Sequence, residues 1–230
     1  MSWKNRQNSD AETARRRTVY VPKHFQQTDT ATLFEVIRDY PLATLITVTD
    51  QGLEANHIPF CLNRTDGKNR LQGHLAKGNP LWKNLPDGSE VLVVFQGPHA
   101  YISPSHYPTK QETGMVVPTW NYIAVHVRGT LQYRHDPEWC QTLVENLTNQ
   151  QEARQDSPWA VSDAPQAYVD KMLAAVVGIE IEITDITGKW KVSQNQPERN
   201  LLGVAEGLSR DTNTEVQKMA AVVGKRVLAS

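Results

Sequence analysis

The sequence predicts a mainly β protein, a small barrel with peripheral helices, and three observations carry that prediction. Short segments rich in β-branched and aromatic residues recur along the chain. Glycine-marked turns separate them. Helical patterns sit at the periphery instead of alternating with every strand, as a doubly wound sheet would require. At 230 residues the chain can bury one substantial core, so the division expected is a tail over 1–18, a barrel domain over 19–195 and a helical extension over 196–230 packed on the barrel.

Taken in order, residues 1–18 are polar and end in Arg15-Arg16-Arg17. They bury too little to offset ordering entropy, which predicts a disordered basic tail. Ala31 to Tyr40 places Leu33, Val36 and Ile37 on one helical face, with Thr28 or Asp29 as N-cap and Pro41 as the stop. Leu42 to Thr49 and Glu54 to Leu62 read as a hairpin around Asp50-Gln51-Gly52, whose glycine supplies the positive φ of a tight reversal. The turn Thr65-Asp66-Gly67-Lys68 leads into the strand Arg70 to Leu75, and Pro80 to Leu85 reads as a helical turn. Val91 to Phe95 is a continuous apolar run, suited to a strand covered on both faces of a closed barrel. Pro98 to Pro118 reads as irregular or edge structure with two short extended pieces.

Tyr122 to Tyr133 alternates most clearly, with Ile123, Val125, Val127, Leu131 and Tyr133 on one side of a strand. Pro137 to Gln151 and Pro165 to Ala174 follow as helices, then a last strand, Val177 to Ile186, and two C-terminal helices, Glu198 to Leu208 and Thr214 to Val223.

The balance of 24 Lys and Arg against 25 Asp and Glu removes the basic excess by which proteins hold nucleic acid through its phosphates. Cys61 and Cys140 have no paired spacing, which predicts buried, inert thiols in a reducing compartment. No apolar run has the length of a membrane span or the position of a signal peptide, so the expected location is cytoplasmic. Neither a P-loop nor a G-x-G-x-x-G follows a strand, and no G-x-S-x-G elbow surrounds a serine. His74, His99, His106 and His126 lack metal-ligand spacing, so no metal site is expected. A single axial haem ligand needs no spacing, which leaves haem open.

Four polar-aromatic clusters stand where a rigid scaffold displays binding groups. They are Ala55-Asn56-His57-Ile58-Pro59-Phe60, Gly73 to Pro80, the stretch from Gly97 to His126, and Lys189 to Asn195. In the second, His74, Lys77, Gly78 and Asn79 are arranged either to bind an anion or simply to cap a helix through Asn79. In the fourth, Lys191 and Ser193 share one side of an extended segment as phosphate donors, with Gln194 available to a ring carbonyl; an exposed loop is the alternative. Trp120 and Tyr122 offer either a stacking wall for a planar ring or part of the core.

Together these blocks carry a family resemblance. Tyr20-Val21-Pro22-Lys23-His24-Phe25, Asn56-His57-Ile58-Pro59-Phe60, Gly73-His74-Leu75-Ala76, Gly97-Pro98-His99-Ala100-Tyr101-Ile102-Ser103-Pro104-Ser105, Val117-Pro118-Thr119-Trp120-Asn121-Tyr122 and Lys191-Val192-Ser193-Gln194-Asn195 resemble, in order, the signature run of the PaiB-type negative transcriptional regulators. The resemblance implies the FMN-binding split β-barrel of the pyridoxamine-phosphate-oxidase type, a homodimer with its cofactor pockets along the interface. It implies FMN contacts from Asn56, His57, Ile58, His74, Ala76, Lys77 and Asn79 on one side. On the other it implies Thr119, Trp120, Lys191, Ser193 and Gln194. Two positions depart from the pattern: His106 stands where an aromatic, usually Trp, is expected, and Gln196 where a basic residue is expected. The regulatory role comes from the resemblance alone; alternatives are a flavin-dependent oxidoreductase of a small molecule, with His106 or Tyr107 as proton donor, and a haem-binding split barrel.

Overall fold

The computed structural model describes residues 19–227; the predicted tail, 1–18, lies outside them. After a 3-10 turn at Lys23–Phe25 come β1 (Gln26–Gln27) and α1 (Thr30–Asp39). Asp29 caps α1, its carboxylate accepting from the Thr32 amide at 2.8 Å, and Leu33, Val36 and Ile37 are buried as their spacing requires. β2 (Leu42–Thr49) and β3 (Gly52–Pro59) form the expected hairpin, with Gly52 at φ 105°.

The strand predicted to continue to Leu62 breaks at Phe60. Its amide donates to the Pro41 carbonyl at 2.9 Å and its ring is fully buried, so the chain turns a corner and resumes as β4 (Cys61–Thr65), paired with β5 (Lys68–Ala76). The remaining elements are α2 (Leu81–Asn84), β6 (Glu90–Ile102), α3 (Thr109–Thr113), β7 (Thr119–Arg134), α4 (Pro137–Glu152), α5 (Gln166–Leu173), β8 (Val176–Lys191), α6 (Glu198–Ser209) and α7 (Thr214–Val227). One sheet runs β3-β2-β6-β7-β8-β5-β4, with β1 added beside β8. Consecutive strands β3 and β4 therefore lie on opposite edges of one curved sheet. The closed barrel suggested by the Val91 to Phe95 run is corrected by this order: the sheet is not closed, and the architecture is a split barrel.

Two strands outrun their sequence signals because bulges interrupt their alternation. β6 continues through Pro98, whose missing donor is tolerated where the β6–β7 register shifts between Gln96 and His99. β8 extends to Lys191 past a second irregularity: Gly129 faces Ile183 and Arg128 faces Asp185, leaving Thr184 as the extra residue. A Cβ on Gly129 would stand 2.4 Å from the Glu182 carbonyl oxygen, so only glycine fits there. The Pro98 to Pro118 stretch, expected to be irregular or edge structure with two short extended pieces, contains the end of β6 and, beyond that expectation, a 3-10 turn at Pro104–His106 and α3.

The core fills the inner face. Val125, Val127, Leu131 and Tyr133 pair across the sheet with Phe95, Val93, Ile181 and Ile179. Gly188 lets Leu33 of α1 approach, a Cβ there falling 2.2 Å from the Leu33 side chain. α6 and α7 add Leu201, Val204, Leu208, Met219, Ala220 and Val223 to the same core. Each such side chain contributes roughly 1.5–3 kcal/mol of burial for the larger residues.

The outer face divides in two. At β5 and the start of β8 it is covered by α4 and α5, with Trp139 packed where a Cβ of Gly178 would be. Under α4 the buried Glu180 accepts from Arg134 at 2.6 Å and from Gln72 at 2.7 Å, with Arg70 at 3.8 Å. Among the described residues no helix covers its apolar side chains over β2 and β3, and the α6–α7 turn reaches it only beside Trp120. Leu42, Val48, Leu53 and Trp120 are 64%, 67%, 81% and 53% exposed there. Cys61 and Cys140 are buried and free, and burial pushes the Cys61 thiol up to about 11. Among the described residues no helix is long and apolar enough to cross a membrane.

Candidate flavin site

The site residues expected from sequence form two groups. The first lies where β7 begins and β8 ends. Tyr122 pairs with Lys191 across this ladder, and the Lys191 ammonium donates to the Thr119 hydroxyl and, at 2.6 Å, to the Trp120 carbonyl. Burial, then the neighbouring Lys189, lowers the Lys191 pKa. Lys189 lies on the same face one pleat away, its Nζ 5.4 Å from the centre of the Tyr122 ring. The Trp120 ring stands 5.8 Å from His99 and 6.0 Å from Tyr101, an exposed aromatic surface beside the two cations.

Beyond Lys191 the chain does not continue extended. Ser193 adopts φ 63°, turns inward and exchanges hydrogen bonds with Asn121, at 2.9 and 3.2 Å. The expectation of Lys191 and Ser193 on one side of an extended segment is thus corrected. Both nevertheless line one cavity of about 180 Å³ with Tyr107, Thr119 and Asn121. Both ends of the Gln194 amide are engaged within the chain: its oxygen accepts from the Val192 amide at 2.8 Å, and its nitrogen donates to the carbonyls of His24, at 3.0 Å, and Trp190.

The second group surrounds the end of β5. The Asn79 side chain donates to the Asn56 side-chain oxygen at 2.7 Å and accepts from the Leu81 amide at 2.9 Å. Of the two readings of this cluster, the capping one is built: Asn79 caps a helix of four residues, too short to contribute a useful dipole. Lys77 donates to the Ala174 carbonyl at 2.6 Å. His57 projects outward and is exposed, whereas the Ile58 side chain is buried in the core. His74 and Ala76 line a separate apolar cavity of about 440 Å³ beneath α4 and α5.

Within one chain the two groups are far apart. His74 pairs with Gly178 and Tyr122 with Lys191, so they mark opposite ends of β8, roughly 40 Å along a strand rising about 3.3 Å per residue. Sequence reasoning missed Lys189 and Asn121 as site residues. Lys189 was legible from its i, i+2 spacing to Lys191; Asn121 was not, because its partner Ser193 is distant in sequence. Another cavity, of about 570 Å³, opens beside Trp120 and is closed by the α6–α7 turn, with His106 in its wall. The His106 ring lies against Gly207, where a Cβ would approach it to 2.6 Å, and its Nδ1 is enclosed without a partner.

Residues 19–185 match the family described as "Putative FMN-binding domain". The chain is 34% identical over 206 residues to "Protease synthase and sporulation protein PAI 2" of Bacillus subtilis, covering 89% of this chain and 96% of that protein. It is 35% identical over 230 residues to "Uncharacterized protein AN0679" of Emericella nidulans, covering 84% and 92%. Among solved structures, the FAD and heme binding protein from Mycobacterium smegmatis superposes with a TM-score of 0.53 at 20% identity, covering 72% of this chain and 73% of that one. The flavocytochrome Anf3 from Azotobacter vinelandii gives 0.52 at 14%, covering 74% and 72%. At such identities these two likenesses concern the fold, and they agree with the open, curved sheet described above. With the family model spanning most of the chain and the PAI 2 relative matched nearly end to end, this chain belongs to the PaiB-type FMN-binding family of split barrels, whose cofactor is FMN.

Proposed function

We propose that the protein binds FMN in two clefts along a two-fold dimer interface and serves as a flavin-binding regulator of the PaiB type. The observation that carries the dimeric cleft is the separation of the two residue groups at opposite ends of β8, combined with the uncovered apolar outer face between them. A two-fold axis across that face brings one group of each copy toward the other group of its partner. It also buries Leu42, Val48 and Leu53, side chains that a monomer leaves in water.

The residues fit the cofactor. Lys189 and Lys191 supply cations for a phosphate, and Trp120 with Tyr101 supplies an aromatic surface of ring dimensions. His57 supplies a polar side chain for a pyrimidine edge, and Asn56, whose amide is engaged by Asn79 and Glu54, holds that strand in place. Gly78 leaves the turn before α2 open, an added Cβ meeting nothing within 4 Å. In this reading Lys77, Asn79 and Thr119 complete the cleft, Ser193 and Gln194 hold its floor in place, and Ile58 contributes backbone alone. His74 and Ala76 drop out because their side chains enter the separate cavity. Bound FMN would supply redox chemistry, while these residues bind it, orient it and exclude water.

The C-terminal helices do not favour direct DNA reading. Their apolar faces are spent on the core, and Arg199, Arg210 and Lys218 pair with Glu112, Glu206 and Glu215. Those three cations are neutralised by their partners, so regulation through a ligand state or a protein partner fits better. The cavity beside Trp120 favours a second reading, a flavin-dependent oxidoreductase in which His106 exchanges a proton with a small substrate. The first test is the visible spectrum of protein mixed with FMN and desalted, together with its mass by light scattering. Retained flavin bands at one FMN per chain in a particle of twice the chain mass support the proposal; a colourless monomer refutes it.

A further inference from the structure

The cavity beneath α4 and α5 has no part in the flavin cleft as proposed, and its chemistry is distinct. β5 and β8 form its floor through His74, Ala76 and Val176, while Val144, Trp159 and Tyr168 stand among its walls. Among the described residues no Asp, Glu, Lys or Arg lines it, so they offer no countercharge to a phosphate or other charged ligand. Three large side chains at its rim remain substantially in water: Trp159, Tyr168 and Met172 are 46%, 57% and 41% exposed.

Set into this apolar lining is an imidazole with an unmet requirement. The His74 imidazole makes no hydrogen bond among the described residues; its Nδ1 is enclosed by protein, which leaves Nε2 as the nitrogen open to a ligand in the cavity. Burial lowers its pKa below the usual 6.5, so at neutral pH the ring is uncharged, with one nitrogen a donor and the other an acceptor. Polar groups left unpaired in such surroundings cost about 1–3 kcal/mol, and native proteins rarely leave them so without a reason. A volume of about 440 Å³ lies in the range of small-molecule sites, which pair apolar walls with a few placed polar groups.

We propose that this cavity is a second ligand site, separate from the flavin cleft, for a small uncharged planar molecule bearing one hydroxyl or comparable group that hydrogen-bonds to His74. The walls select an apolar ring by area, and the imidazole selects the polar substituent, because a ring lacking it leaves His74 unpaired.

The test is calorimetric titration of the full chain with 2-naphthol and with naphthalene, the same ring system without the hydroxyl. The expected result is saturable binding of one 2-naphthol per chain, about tenfold or more tighter than naphthalene. His74→Phe removes that preference yet retains naphthalene, and Ala76→Trp, checked for folding by circular dichroism, abolishes both. Equal affinities in the parent protein, or no saturable binding, overturn the proposal. So does displacement of 2-naphthol by FMN, which would make the cavity part of the flavin cleft. An affinity that rises on dilution, as copies separate, assigns the cavity to a second copy of the chain and overturns it as well. FMN retention is measured on the same samples, so a failure of the flavin reading is seen independently.

Discussion

The Asn121 amide donates to the Ser193 hydroxyl at 2.9 Å, joining the start of β7 to the turn after β8 through two side chains only 1% and 3% exposed. Ser193→Ala leaves the Asn121 amide buried and short of a partner, a loss of about 1–3 kcal/mol, and it keeps a Cβ at a left-handed backbone position. Ser193→Gly removes the same hydroxyl but suits that backbone. Urea unfolding should rank parent above Gly above Ala; an Ala variant as stable as the parent would show that the bond contributes nothing.

Lys191 is the candidate phosphate cation that is most desolvated. Lys191→Met should weaken FMN binding about tenfold or more, whereas Lys68→Met, which breaks an exposed pair with Glu182, should leave it unchanged. Burial and Lys189 hold the Lys191 pKa below 10.5, so its charge is lost earlier than usual as pH rises. Flavin fluorescence titrations in alkaline buffer should therefore show affinity falling as pH approaches that lowered value, with the fall absent in Lys191→Met.

Glu180 titrates in the opposite sense. Burial alone would raise its pKa, but hydrogen bonds from Arg134 and Gln72 and the charges of Arg134 and Arg70 outweigh it, and the net shift is below 4.5. The folded state binds this proton less readily than the unfolded chain, so the contribution to stability is present above the unfolded value and is lost as pH falls through the folded one. Glu180→Gln should flatten the acid limb of the stability curve below about pH 4.5. Arg134→Met should cost about 1–3 kcal/mol at neutral pH, measured by thermal or urea denaturation.

Gly129→Ala places a Cβ 2.4 Å from a carbonyl oxygen and 2.5 Å from the Ile181 side chain. The strand cannot move away without breaking the β7–β8 ladder. A loss at or above the roughly 1–3 kcal/mol of overpacking is expected, visible as a lower denaturation midpoint or as insoluble protein. Near-parental stability would mean that the bulge relaxes freely.

Local chemistry was legible wherever a residue acts on its sequence neighbours. The Asp29 cap, the apolar stripe of α1, the Gly52 reversal and the alternation of Tyr122 to Tyr133 each announce their structure within a few positions. What escaped depends on distant partners. Phe60 breaks a strand because the Pro41 carbonyl and the core receive it; β6 passes through Pro98 because β7 shifts register beside it. The same holds for the site. The clusters were visible as motifs, but the opposite placement of His74 and Lys191 on β8, the inward turn of Ser193 and the internal use of Gln194 follow from pairings that no spacing encodes.

The extra residue in β8 settles a question of parity. Before the bulge the outward side chains of β8 are even-numbered, as with Glu180 and Glu182; after it they are odd-numbered, as with Asp185, Lys189 and Lys191. Thr184 works as a frameshift written in three dimensions: without it Lys189 and Lys191 would point at α1, and Gly188 and Trp190 would face solvent. Two cations of the proposed cleft thus owe their side of the sheet to a threonine that need not touch either of them.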